Sequence, residues 1–388
     1  MKVVLLCFGI ASIASVSGME KVYAAMANEL TRRGHAVYAV WNDHPGVKPF
    51  YPLVSQVQCV NLGLGKIKVP LSLKVQRELN KGLHLNAANK VDQYKTDILA
   101  QAVQKKLPTD IDVYICYEFN SVMVANKLAG GKTPVVAMVH NSVSDQLEAL
   151  TLRQRQEASK ATVYQVLMPS YVHQAEKLLT TKVVYIPNTV PQFAEAQLAQ
   201  PGQAKKRHTI IHVGRVEGRQ KRQLILVQAF AELASNFPEW DVEYYGPIGD
   251  ADYKKQIDAL IKKHNLQERV KYKGVTKDVA KALQQADIFA FPSAYEGFPL
   301  ALTEAMAIGL PVICVREAPG VAELIQEGQD GYLAQTARDF TQKLDRLMEH
   351  ADLRTSMGAK AREAMQQFAP AVVWQQWEDL LQSLIKKD

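Results

Sequence analysis

Glu296 and Glu304, with seven residues between them, are the pair in this chain whose types and spacing point most directly to chemistry. Glu296 lies in a turn, Ser293 to Gly297, and Glu304 lies among Leu300, Ala301, Leu302, Ala305, Met306 and Ala307. A carboxylate among small apolar residues is costly unless it is hydrogen-bonded, so Glu304 either caps or pairs locally or holds a ligand. Ahead of the pair, Ile288 to Phe291 is an apolar run too short for a helix and bounded by Pro292, which predicts a buried strand. Pro299 suits the first helical position, and the helix is predicted to stop at Gly309 and Pro311. A strand, a glycine turn and a helix start in this order aim free backbone N–H groups and a positive dipole end at one place. That is an anion site.

The run from Ala286 to Pro311 resembles the Glu-x7-Glu region of retaining glycosyltransferases of the GT-B type, family 4 (glycosyl transferases group 1). The resemblance extends to Gly214-Arg215 with Lys221 six positions on, to Gly246 and Gly249, and to Pro319-Gly320-Val321-Ala322-Glu323. It implies that Arg215 and Lys221 bind a donor diphosphate, where fixed cations stabilise the charge building on a leaving group. It further implies that Glu296 holds hydroxyls of the donor sugar and Glu304 those of the ribose. Gly18, Gly246, Gly297, Phe298, Pro299 and Leu300 are the other donor-binding positions it implies. Arg222 stands where the family commonly has glycine, and Ser17-Gly18 where it usually has a glycine pair. Ser17 as an ordinary helix N-cap fits the latter stretch equally.

The elements around these residues must be strands and helices in alternation. Val3 to Phe8, Met19 to Arg33 and Ala36 to Trp41 read as a βαβ unit, with Gly9 to Gly18 as its loop. The same N-terminus could pass for a signal peptide; the βαβ reading is preferred because cleavage would delete its first strand. Further strands are expected at Val113 to Tyr117, Pro134 to Val139, Val163 to Pro169, Val183 to Ile186, His208 to Val213, Asp241 to Tyr245, Val270 to Gly274 and Val312 to Val315. The fold class is therefore α/β: two doubly wound, Rossmann-like domains facing a central cleft. The expected division is an acceptor-binding domain 1–190, a polar linker 191–207, a donor domain 208–370, and a last helix 371–388 that the resemblance returns to the first domain.

In the N-terminal half, His140-Asn141 follows a strand end, where α/β sheets bind ligands. The resemblance puts His140 near the transferred sugar; a loop histidine bonded to backbone is the other reading. Tyr117, Glu118 and Asn141 are candidates for the acceptor side. From Gly65 to Lys106 there are nine basic residues against three acidic ones, with leucines interleaved. That segment reads either as a contact with an anionic membrane or as a solvated face over a core-facing stripe.

Composition sets the outer limits. The 388 residues suffice for two cores, and 47% hydrophobic with 22% charged residues is ordinary for a globular protein. A net charge of +7 favours an anionic ligand or surface. Nucleic acid is not expected, because the basic segment lacks aromatic interleaving beyond Tyr94. Cys7, Cys59, Cys116 and Cys314 have neither disulfide nor metal spacing. The Asp-x-Asp patterns at Asp110-Ile111-Asp112 and Asp250-Ala251-Asp252 are too short to carry a metal site, and no metal or other cofactor is expected. A nicotinamide enzyme is excluded by the lack of G-x-G-x-x-G after the first strand. The resemblance implies a cytoplasmic enzyme, peripheral on the inner face of the plasma membrane, moving a sugar from a UDP-sugar to a glycan or lipid-linked acceptor in cell-surface polysaccharide synthesis. A nucleotide-sugar epimerase of the same fold is the alternative.

Overall fold

Parallel strands covered on both faces bury every side chain, so they are written as unbroken apolar runs. Residues 3–7 are such a run and each is fully buried. The computed structural model describes residues 1–9, 12–82 (the side chains of 80–82 excepted), 89–138 and 140–385. The chain forms two units, Met1–Pro187 with Trp374–Asp388, and Asn188–Val373.

The first unit has seven strands: β1 (Lys2–Cys7), β2 (Ala36–Trp41), β3 (Gln58–Asn61), β4 (Val113–Cys116), β5 (Val135–Met138), β6 (Val163–Val166) and β7 (Lys182–Tyr185). All pair in parallel, in the order β3-β2-β1-β4-β5-β6-β7. The candidate signal segment thus supplies a central strand. The strand order reverses between β1 and β4, which makes that pair the switch point of the sheet. Helices α1 (Gly18–Arg32), α2 (Leu71–Gly82), α3 (Lys90–Gln104), α4 (Phe119–Ala129), α5 (Leu152–Ala158) and α6 (Pro169–Glu176) alternate with the strands. Pro169, expected at a strand end, instead opens α6 at its first turn, where its missing N–H costs nothing. Val139, the expected last residue of a strand, lies outside the described residues.

The second unit has six parallel strands: β8 (His208–Val213), β9 (Trp240–Tyr245), β10 (Val270–Gly274), β11 (Ile288–Phe291), β12 (Val312–Val315) and β13 (Tyr332–Ala334). Their order is β10-β9-β8-β11-β12-β13, so the switch point lies between β8 and β11. Helices α7 (Leu224–Leu233), α8 (Ala251–Lys263), α9 (Val279–Gln284), α10 (Leu300–Ala307), α11 (Pro319–Ala322), α12 (Ala337–Glu349) and α13 (Ala351–Ala364) belong to this unit. Its core joins Ile210, Phe230, Trp240, Ile257 and Phe340. Residues 191–207 run along the same unit, where Ala199 N donates to Ile308 O and Arg354 Nε to Pro201 O. The last helix, α14 (Pro370–Ile385), opens in the second unit, and from Trp374 onward it belongs to the first. There Trp374 and Trp377 are buried, and Glu378 pairs with His35 at 2.9 Å.

Both Asp-x-Asp patterns have structural partners. Asp110 pairs with Lys2 Nζ and Asp112 accepts from the Lys2 backbone, which pins β1. Asp250 caps α8, accepting from the backbone of Asp252 and Tyr253. Cys7, Cys116 and Cys314 are buried free thiols whose pKa burial pushes up; Cys59 is exposed.

Candidate active site

At the switch point of the second unit, β8 runs into the loop 214–222 and β11 into the loop 292–299. The β8 loop is laced to the end of β9: Gly214 N donates to Tyr245 O, Val216 N to Pro247 O, and Gly249 N to Val216 O. Gly246 has φ +139°, and a Cβ there would lie 2.2 Å from the Gly214 carbonyl oxygen. Only glycine lets the two turns meet. Gly249 likewise leaves room for the stem of Arg215, whose Cδ would sit 2.4 Å from an added Cβ. Arg215 itself is exposed.

Lys221 Nζ lies 2.6 Å from Glu296 Oε1, with 15% and 10% of the two side chains exposed. The same ammonium is 5.2 Å from the centre of the Phe291 ring. Gln220 binds the two loops together: its carbonyl accepts from Ala294 N at 2.7 Å and its Nε2 donates to Tyr295 O at 3.0 Å. The Glu217 carboxylate takes the backbone N–H groups of Gln220 and Lys221. Arg222 adopts φ +47°, a left-handed conformation that suits glycine, and here the arginine holds it. Its Nε donates to Pro292 O and its guanidinium pairs with Glu317. Its Nη2 is buried without a hydrogen-bond partner among the described residues.

Beneath this loop, Gln223 is fully buried. Its Nε2 donates to Arg215 O at 2.8 Å and approaches His212 Nε2 at 3.2 Å, while its Oε1 accepts from Glu217 N. His212 Nδ1 lies 2.9 Å from Ala290 O. A carbonyl only accepts, so Nδ1 carries the proton and Nε2 is free to accept from the glutamine. Burial lowers the His212 pKa to about 4, and nearby Lys221 adds to the shift. Sequence reading missed Gln220, Gln223 and His212, because nothing about a glutamine or a strand histidine marks its hydrogen-bond partners.

On the β11 side, Glu296 and Gly297 are buried and Phe298 packs edge-on against Phe368. Pro299 is the N-cap of α10, one position earlier than expected, and no side chain caps the helix. The start of α10 thus has the N–H groups of Leu300, Ala301 and Leu302 without intrahelical partners. Glu304 is 8% exposed on this helix. Ser293 Oγ is buried and has no hydrogen-bond partner among the described residues.

The switch point of the first unit is filled differently. The Glu118 carboxylate caps α4, accepting from Asn120 N and Ser121 N, and reaches back to Phe8 N at 3.0 Å. It sits where an anion would bind at this helix start, and a Cβ on Gly9 would be 2.5 Å from its Cγ. Tyr117 is fully buried, donates to Met26 Sδ and stacks on His140 at 4.8 Å and 8°. Tyr117 and Glu118, two of the three acceptor-side candidates, thus have partners within the first unit. The His140 N–H donates to Gln146 Oε1, and the Asn141 side chain binds Asp145. His140 Nε2 is buried without a partner among the described residues, and burial lowers this pKa to about 3. Gly18 is the first residue of α1, and Ser17 precedes it as N-cap with its hydroxyl on Glu20. Among the described residues no three His, Cys, Asp or Glu side chains gather as a metal site.

Residues 193–364 match the family described as glycosyl transferases group 1. An uncharacterized glycosyltransferase of Haemophilus influenzae is 26% identical over 384 residues, covering 96% of this chain and 99% of that one. The N,N'-diacetylbacillosaminyl-diphospho-undecaprenol alpha-1,3-N-acetylgalactosaminyltransferase of Campylobacter jejuni is 34% identical over 119 residues, 30% of this chain and 31% of that protein. Among solved structures, the pneumococcal O-GlcNAc transferase GtfA in complex with UDP and GlcNAc superposes with a TM-score of 0.77 at 17% identity, covering 100% of this chain and 99% of that one. At that identity the likeness is one of fold, and the fold is GT-B.

Proposed function

We propose that this chain, whose residues 193–364 match the glycosyl transferases group 1, transfers a sugar, with retention at the anomeric carbon, from a UDP-sugar to a hydroxyl of a glycan or lipid-linked acceptor in cell-surface polysaccharide synthesis. One observation carries the reading: the Lys221–Glu296 pair joins the loops after β8 and β11 at the switch point, beside the uncapped start of α10. Cations, a carboxylate and free N–H groups are the complement of a diphosphate joined to a hydroxyl-rich sugar. The Glu118 carboxylate already fills the corresponding place of the first unit, which favours the second as the donor unit. UDP in the pneumococcal structure supports a uridine donor, and the Campylobacter enzyme's name supports a lipid-linked acceptor.

In this mechanism the bond from the anomeric carbon to the diphosphate oxygen breaks, and the bond to the acceptor oxygen forms on the same face. The acceptor's proton passes to the leaving phosphate oxygen. Lys221, Arg215 and the N–H groups of Phe298 and Leu300 stabilise the charge on that phosphate. Glu296 holds sugar hydroxyls and Glu304 the ribose. His140 is the proposed catalytic residue of the first unit, supported by its unpartnered Nε2. The cations and amides neutralise the diphosphate without a metal. A lipid-linked acceptor also places the chain on the cytosolic face of a membrane, with the basic segment 65–106 in peripheral contact.

The test is product analysis by NMR after incubation with UDP-sugars and glycan or lipid-linked acceptors. An anomeric coupling that matches the donor is expected. An inverted product, or sugar interconversion without acceptor as an epimerase would give, overturns the reading. The proteins named above are transferases, and no feature of the site favours the epimerase.

A further inference from the structure

We infer that α2 is a membrane-docking helix that lays an apolar stripe into an anionic lipid surface. The inference deepens the acceptor side of the proposed function and rests on that reading only for the origin of the lipid. Leu71, Val75 and Leu79 are 75%, 49% and 59% exposed. Spaced four apart, they form one face of the helix. Leu73 and Gln76, on the other side, are half-buried, and α2 is in contact with α3. The periodicity of this segment allowed a core-facing stripe. The structure turns the stripe outward.

Three large apolar side chains in a row on an exposed helix are costly to hydrate unless something covers them. The charge around them selects the occupant. Lys66, Lys68 and Lys74 are exposed beside or before the stripe, and Leu64, 41% exposed, precedes them. Arg77 pairs with Glu78, on the helix itself. The segment 65–106 carries nine basic and three acidic residues, an excess of six that nearly equals the chain's net +7. An apolar stripe flanked by lysines matches acyl chains beneath anionic headgroups. Among the described residues no helix is long and apolar enough to cross a membrane, so the contact is one of lying on the surface.

The experiment is co-sedimentation of the full chain with vesicles of phosphatidylcholine alone or mixed with phosphatidylglycerol, with UDP binding measured on the same preparations. Wild type is expected to bind the mixed vesicles and to release them at high salt. The double variant Leu71→Asp/Val75→Asp should lose vesicle binding by more than about tenfold, as apolar insertion requires, and Lys68→Glu/Lys74→Glu by roughly fivefold to tenfold. All should bind UDP alike, because α2 is remote in sequence from the donor loops. Wild-type UDP binding without vesicle binding overturns the docking inference and leaves the function standing. Equal vesicle binding by wild type and the Asp variant also overturns it. A wild-type dimer in light scattering that Val75→Asp dissolves assigns the stripe to a second copy of the chain and overturns the lipid occupant.

Discussion

Lys221 Nζ and Glu296 Oε1 lie 2.6 Å apart, with both side chains largely covered. Each neutralises the other, so neither charge is left alone in a low-dielectric place. Donor binding would exchange this pair for two others, the ammonium with phosphate and the carboxylate with sugar hydroxyls. Lys221→Ala should therefore weaken UDP binding by at least about tenfold and lower the melting temperature, since it removes the cation beside a covered carboxylate. Glu296→Gln should keep UDP binding, or tighten it, while kcat falls by roughly a hundredfold. Titration calorimetry and single-turnover rates separate the two outcomes.

Glu304 is assigned to the ribose, and that assignment has its own signature. Wild type should bind UDP more tightly than its 2'-deoxy analogue, by about tenfold for one charged hydrogen bond. In Glu304→Ala the two ligands should bind alike. A variant that still prefers the ribonucleotide would remove Glu304 from the ribose.

Gly246 and Gln223 shape the loop from beneath. Gly246→Ala would put a Cβ 2.2 Å from the Gly214 carbonyl at a positive φ, so it should abolish UDP binding and destabilise the second unit by about 1–3 kcal/mol. Gln223→Leu leaves the Arg215 carbonyl and the Glu217 N–H without their buried partner. The donor KM should rise about tenfold or more while the acceptor KM stays, a split that general unfolding would not give.

His212 is held near pKa 4, below the ordinary histidine value of 6.5, because burial disfavours its charged form. The unfolded chain takes up a proton as pH falls through about 6.5, and the native chain does so only near 4. Stability from this group is thus constant above 6.5 and falls by about 1.4 kcal/mol per pH unit between 6.5 and 4. His140, lowered to about 3, acts with the same sign. Melting curves between pH 7.5 and 5 should drop less steeply for His212→Gln than for wild type. If the two slopes coincide, the histidine titrates normally in the fold.

Much of the second unit was legible because its chemistry is local. The strand Ile288 to Phe291 ends where the structure ends it, and Glu296, Gly297 and the α10 start follow within nine residues. The strands His208 to Val213 and Val312 to Val315 also match. What escaped depends on distance along the chain. Glu118 reads as a free acid until Phe8, 110 residues away, is seen donating to it. Gln223 reads as a surface residue until His212 and Arg215 close over it. β3 and β13, of four and three residues, carry too little pattern to stand out. For α2, periodicity establishes a stripe and is silent on which way it faces.

The most direct test of the donor site is a thermal titration of UDP, GDP and ADP in the presence of a chelator, on wild type, Lys221→Ala and Glu304→Ala. Saturable stabilisation of wild type by UDP, weakened in both variants and indifferent to the chelator, is the predicted result. No stabilisation by any of the three, or stabilisation that the variants retain in full, would contradict a metal-free donor site at the β8/β11 switch point.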